Sequence, residues 1–223
     1  MAFTHQYRFA AAESVSKDKV PRAISIILLG GIVSAFIGPS VANFSKDLFS
    51  NHMYIGSYLS LAALTFLPTI FFLFYKNTSK IKLSFKYSGR SYLELVSQPR
   101  FLQAVISSAF GYAIMTFLMT GTPLSMHVIE GISLNKTSIV IQIHVACMFL
   151  PSLIAGNLVK KIGHSKMMYV GVGLYCITIV ISLFDQSFLN YMLALIFLGF
   201  GWNFLFISGT SLLVLTYNEE EKY

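Results

Sequence analysis

Charge is what this sequence has least of. Only 11% of its 223 residues are Asp, Glu, Lys or Arg, whereas a soluble domain carries about 25% and needs them to cover its surface. A water-soluble globule is therefore excluded, since 55% of the chain is hydrophobic and little remains to form a polar shell. Cysteine is equally scarce. Cys147 and Cys176 both lie in apolar stretches, which leaves no disulfide or metal-ligand spacing. Histidine occurs only at His5, His52, His127, His144 and His164, scattered over different segments, so no catalytic or metal-binding set is assembled and an enzyme is not expected. The first twenty residues contain no apolar core of signal-peptide length.

What is present is a series of long apolar runs. A bilayer core of about 30 Å takes roughly 20 apolar residues in a helix. Six segments meet that need: Ala23–Ala42, Met53–Tyr75, Phe101–Met126, Thr137–Val159, Met167–Phe184 and Phe188–Val214, none of which contains Asp, Glu, Lys or Arg. The runs do not alternate polar and apolar residues, which rules out a β-barrel. Helices alone can satisfy their own backbone groups in hydrocarbon. The fold expected is an all-α membrane protein of six spans. Pro123, with Gly121 before it, and Pro151 should each bend the span that holds them, because proline removes a helical hydrogen bond and crowds the preceding turn.

A formal charge of +7 in a soluble protein would suggest nucleic acid; here its distribution sets orientation instead, and no nucleic-acid partner is expected. All of the sixteen Lys and Arg residues except Lys46 and Lys136 fall in the amino-terminal segment, the 76–100 loop, the 160–166 loop or the tail. The positive-inside rule places those segments, and both termini, in the cytoplasm. The 76–100 loop is the longest connection and divides the chain into two spans before it and four after. Residues 1–75 and 101–223 thus read as two membrane bundles joined by a cytoplasmic linker, 76–100.

Two local patterns go beyond composition. Gly30, Ser34, Gly38 and Ala42 recur every fourth residue and place a smooth stripe on one face of the first span, with Pro39 adding a bend. Ordinary helix packing is its plainer meaning. The second is Gly156-Asn157-Leu158-Val159-Lys160-Lys161-Ile162-Gly163-His164-Ser165-Lys166, which suits a tight turn whose cations meet helix C-termini and anionic headgroups.

Together these patterns resemble the major facilitator superfamily. The 156–166 segment is similar to that superfamily's Gly-x-Leu-x-Asp-Arg-x-Gly-Arg loop, found after the second and eighth helices, although Lys160 stands in place of the Asp. The stripe ending in Gly38-Pro39 resembles its glycine-rich fifth-helix motif, with Ser34 and Ala42 in place of glycines. Gln98-Pro99-Arg100-Phe101 resembles the end of its central linker and the start of helix seven, and Gly199-Phe200-Gly201-Trp202-Asn203 resembles part of helix ten.

The resemblance implies that the six spans correspond to helices five to ten of twelve, a fragment holding two of the four cavity-lining helices. It implies transport of a small solute by alternating access, in the inner membrane of a bacterium, with missing helices or a partner chain completing the carrier. By position it assigns substrate contact to Tyr112, Met115, Met119 and Thr122 on the third span, Gln142 and His144 on the fourth, and Trp202 and Asn203 on the sixth. Gly30, Ser34, Gly38, Pro39, Gly156 and Gly163 become packing or gating positions. Plainer readings stand beside these: a methionine stripe suits packing, Asn203 and Gln142 suit hydrogen bonds between helices, and the chain as a whole suits a membrane scaffold. His144, the one histidine within the spans, is the candidate for a coupling proton. No cofactor is implied.

The charge asymmetry makes a direct prediction. In a background lacking Cys147 and Cys176, Ser88→Cys is expected to resist an impermeant thiol reagent applied to intact cells and to react once the membrane is opened. Labelling from outside would reverse the topology.

Overall fold

Every apolar run that falls on described residues is helical, as the absence of water requires. A computed structural model describes residues 7–49, 52, 54–72 and 90–217. In chain order the helices are α1 Tyr7–Glu13, α2 Val20–Ser45, α3 Ile55–Phe72, α4 Tyr92–Val96, α5 Pro99–Leu124, α6 Leu134–Phe149, α7 Ser152–Ile162, α8 His164–Ser182 and α9 Phe188–Val214. No strand occurs among the described residues. Among the described residues, five stretches are long and apolar enough to cross a membrane: Lys17–Ala42, Pro99–Ile129, Leu134–Ile162, His164–Ser182 and Phe188–Val214. The expected second span appears as α3, whose apolar part Ile55–Leu67 is shorter; residues 53 and 73–75 of that expected span lie outside the described residues, as does most of the 76–100 loop.

Both prolines leave a mark. α6 ends at Phe149 and α7 begins at Ser152, so one span is built from two helices separated by Leu150 and Pro151. At Pro123 the helix continues, but a π turn, Ser125–Ile129, follows at once. There Glu130 N donates to Ser125 O at 3.0 Å, the wider hydrogen-bonded ring that marks such turns.

The chain divides into two compact units, Met1–Ala35 with Gly89–Tyr223, and Phe36–Ser88, the boundary falling inside α2. In the smaller unit α3 turns back on the end of α2: Tyr54 N donates to Lys46 O at 2.9 Å and Ser57 Oγ to Ala42 O at 2.7 Å.

The larger unit is arranged around α9, which packs against α5, α6 and α8. Of the most apolar stretch of α9, 72% is buried, against 17% for the span begun by α5. A helix that is apolar all round belongs inside a bundle. Lipid tails are as apolar as leucine, so close van der Waals contact has to hold membrane helices together, and small residues permit it. α9 supplies a glycine to each neighbour. A Cβ on Gly199 would lie 2.9 Å from His144 O on α6 and one on Gly201 2.6 Å from the Tyr175 ring on α8. One on Gly209 would strike Ser108 Oγ and lie 2.8 Å from Ala104 O on α5. At the far end of α9 a second apolar cluster gathers Ala12, Val20, Ile24, Val159, Met167 and Ile207, joining α1, α2, α7 and α8 to α9.

Two glycines on α8 provide a matched test. A Cβ on Gly171 would lie 2.8 Å from Leu205 Cγ and 3.0 Å from Gly201 O, whereas one on Gly173 meets nothing within 4 Å. Gly171→Leu should destabilise the bundle by about 1–3 kcal/mol through overpacking. Gly173→Leu should be neutral or mildly stabilising, since leucine favours a helix over glycine by up to about 1 kcal/mol. Comparing the folded fraction of each variant after heating in detergent measures the difference; equal losses would mean that α8 and α9 do not meet at Gly171.

Candidate functional site

Four aromatic rings converge where α5, α6 and α9 meet. Trp202 and Phe206 are one turn apart on α9, and their rings stack with centroids 4.6 Å apart and planes 18° apart. Tyr112 of α5 lies across from both, 6.3 Å from Trp202 and 6.2 Å from Phe206. Phe149, the last residue of α6, meets Trp202 edge-on at 5.7 Å. Such offset and edge-on arrangements follow from the ring quadrupole. Trp202 is 3% exposed and Tyr112 is 39% exposed, so the box is closed on its α9 side and open at Tyr112. Tyr175 Oη donates to Gly111 O at 2.6 Å, tying α8 to α5 beside Tyr112.

The other expected residues of α5 line up above Tyr112. Met115 is buried in the core cluster that contains Trp202, and Met119 packs against it. Thr122 turns its hydroxyl back to Leu118 O at 2.8 Å.

His144 and Asn203 bind neighbouring helices. His144 is fully buried, and its Nδ1 lies 2.7 Å from Leu195 O on α9. A carbonyl can only accept, so Nδ1 carries the proton and, in the neutral ring, Nε2 presents a lone pair; Nε2 has no partner among the described residues. Asn203, also fully buried, donates from Nδ2 to Met148 O at 2.6 Å and to Ser152 Oγ at 2.7 Å. These contacts sit at the break in the span: α6 has ended and the amide side chain takes up the Met148 carbonyl. Gln142 is half-buried one position beyond Ile143 from His144.

The packing positions fall into two groups. A Cβ on Gly156 would lie 2.9 Å from Arg22 Cα and 3.0 Å from Pro21 O, so α7 and the start of α2 approach backbone to backbone. A cavity of about 150 Å³ beside this contact is lined by Arg22, Ser25, Ser152 and Asn157 among others. Gly163, at φ +88°, is the single residue joining α7 to α8, a conformation that only glycine adopts without strain. Lys160, one turn earlier, lies 3.9 Å from Asp18. By contrast, none of the described residues lies within 4 Å of a Cβ on Gly30 or Gly38. Ser34 is exposed and donates to Gly31 O at 2.8 Å, and Pro39 lies inside α2. On α2 it is Gly31 whose missing side chain makes room, for the ring of Phe149.

The structure therefore brings Tyr112, Met115 and Trp202 into one cluster, and sets His144 and Asn203 in contacts between helices. Sequence reasoning did not single out Phe149, Phe206 or Ser152. Phe206 had a signal in its one-turn spacing from Trp202; Ser152 and Phe149 had one only in flanking a proline. No group of three or more His, Cys, Asp or Glu side chains gathers among the described residues.

The chain matches the sequence profile of the Major Facilitator Superfamily over residues 8–222. It is 35% identical over 223 residues to the riboflavin transporter RfnT of Brucella anthropi, covering 99% of this chain and 56% of that protein. It is 27% identical over 232 residues to the uncharacterized transporter YddS of Bacillus subtilis, covering 96% of this chain and 53% of that protein. The chain thus spans about half the length of these relatives. No solved structure matches it. With five helices suited to crossing a membrane and this profile, the chain is an integral membrane protein.

The clamp on the broken span is open to test. Asn203→Leu keeps the volume apolar but leaves Met148 O and Ser152 Oγ without their donor. The expected cost is about 1 kcal/mol, in the range of hydrogen bonds between membrane helices, read as a lower melting temperature in detergent. An unchanged melt would show that the break is held by packing alone.

Proposed function

Because the chain belongs to the Major Facilitator Superfamily, we propose that it acts in the transport of a small solute across a membrane by alternating access. The single observation that carries the reading to a site is the aromatic box of Tyr112, Phe149, Trp202 and Phe206, buried at Trp202 and open at Tyr112. Rings so disposed suit a flat, largely uncharged solute; no Asp, Glu, Lys or Arg lies near them on the spans, so a strongly charged solute finds no partner there. Riboflavin, the solute in the name of the Brucella anthropi relative, has such a flat ring system, and it is the solute we assign. Met115, Met119, Thr122 and Gln142 extend the solute-facing surface. His144 would serve a coupling proton through the lone pair on Nε2, while Asn203 holds the broken span in place.

In this reading residues 1–75 end one bundle, 76–100 are a cytoplasmic linker and 101–223 begin the second bundle. Both termini lie in the cytoplasm of a bacterial cell, in its inner membrane, as the distribution of Lys and Arg supports. Gly30 and Gly38 leave a smooth face for further helices, and the length of the relatives supports a carrier that such helices complete. Carriers of this kind place the solute between two bundles that rock about it.

Uptake of labelled riboflavin by bacterial cells tests the reading. The chain extended by its flanking reading frame should give saturable uptake, and the 223 residues alone should give none. Uptake of neither riboflavin nor another flat heterocycle by the extended chain would defeat the solute assignment. Saturable uptake by the short chain as a monomer would defeat the need for further helices.

A further inference from the structure

Trp202 contains the clearest unmet hydrogen-bond donor among the described residues. Its Nε1 is buried and has no partner there. The other buried polar atoms without a partner there are Gln98 Nε2, Asn203 Oδ1, His144 Nε2, His164 Nε2 and Ser208 Oγ, and each has a way out: the Gln98 amide can be turned over, an amide oxygen or an imidazole nitrogen can hold a bare lone pair, and a hydroxyl can rotate to a nearby carbonyl. An indole N–H can do none of these. It only donates, and its direction is set by a ring pinned between Phe206, 4.6 Å away, and Phe149, 5.7 Å away. A buried donor left unmade is costly, and native structures keep few of them.

We propose that the Trp202 indole N–H is the specificity-determining donor of the site, reserved for a ring carbonyl or ring nitrogen on a flat heteroaromatic solute. The inference rests on the reading of this face as solute-binding and deepens it, by stating what the solute must carry. Tyr112 is the exposed member of the box and packs against both Trp202 and Phe206. For a solute to reach the indole edge the Tyr112 ring must turn aside, and the solute's ring then takes the place of the Tyr112 contact. A solute with an acceptor on its edge satisfies the N–H; one of equal flatness without an acceptor leaves it bare, so the box discriminates between them. A site built to make a hydrogen bond rejects the partner that lacks one far more strongly than an apolar pocket rejects a change of size.

Trp202 is the sole tryptophan of the 223 residues, and the emission lost in Trp202→Phe is its signal in the complete protein. The protein, expressed from its complete reading frame and purified into lipid nanodiscs, is titrated with riboflavin and, separately, with ribitol, which lacks the ring. Trp202→Phe keeps an aromatic ring in the box, though a smaller one, and removes the donor. Riboflavin is expected to quench the emission present in the parent and missing from Trp202→Phe, ribitol to leave it unchanged, and the Kd for riboflavin to weaken about tenfold in Trp202→Phe. Uptake in cells with an equal Kd for parent and variant would leave the transport reading standing and overturn this one, meaning that the N–H binds a water or nothing. Binding with the tenfold loss but without uptake would leave ring recognition standing and remove transport. Absence of both would overturn both. Should Trp202→Phe fail to reach the membrane, tryptophan emission of the parent unmoved by saturating riboflavin still defeats the proposal.

Discussion

Close approach of backbones along α9 is the constraint on which the rest of the larger unit depends. Hydrocarbon offers helices no hydrophobic reason to prefer one another over lipid, so contact must be gained by fit. Gly199, Gly201 and Gly209 lie at different heights and turn toward α6, α8 and α5 respectively. Each removes the one atom that would hold its neighbour away. The neighbours respond in kind: a Cβ on Gly171 would crowd Leu205 and the Gly201 carbonyl, and one on Gly111 would lie 3.1 Å from Leu205 Cβ. α9 thereby becomes the post against which three spans are set, and the residues between its glycines, Trp202 and Asn203, are buried as a consequence.

Pro151 adds the second determinant. By interrupting the span it makes Phe149 the end of α6 and leaves the Met148 carbonyl beside the break. Asn203 takes that carbonyl and Ser152 together, and the ring of Phe149 lies at once against Trp202 and over Gly31 of α2. A break that would be a liability in lipid is tolerated because a neighbouring side chain repairs it, as the bilayer demands of any exposed backbone group. The same break delivers one wall of the aromatic box. Stability and the candidate site thus share residues on adjacent positions of one helix: Asn203 holds the span, and Trp202 meets the rings.

Besides the bonds within the spans, three polar contacts of the larger unit lie at span ends. Arg90 Nη2 donates to Thr216 O at 2.9 Å, Gln103 Nε2 donates to Ser165 Oγ at 2.9 Å, and Lys160 faces Asp18. An exposed ion pair of this kind contributes little to stability, and the neutral bonds are individually modest. Their common feature is that they link segments joined by the loops of Lys and Arg that the charge distribution assigns to one side of the membrane. Such contacts can be exchanged at small cost, which suits a bundle whose halves must move, in the transport reading proposed above.

An all-α membrane protein was legible in the residues alone, because the length and apolarity of a run are local properties that hydrocarbon translates directly into a helix. The run Phe188–Val214 coincides with α9, and the prolines at which a bend is expected stand beside a π turn and a break between helices. The sequence also held the superfamily's motifs, and Gly163 was legible as a turn. Which faces meet was decided by the tertiary structure alone. Gly30 and Gly38 had the more regular spacing, yet the described residues approach Gly31, Gly171, Gly199, Gly201 and Gly209. Asn203 and Trp202 stood side by side as solute contacts, and packing turned one to a helix break and the other into a box of rings. The reason is physical: a soluble helix announces its inner face by an apolar stripe, whereas these helices are apolar all round, and only fit against particular neighbours selects the face that is buried.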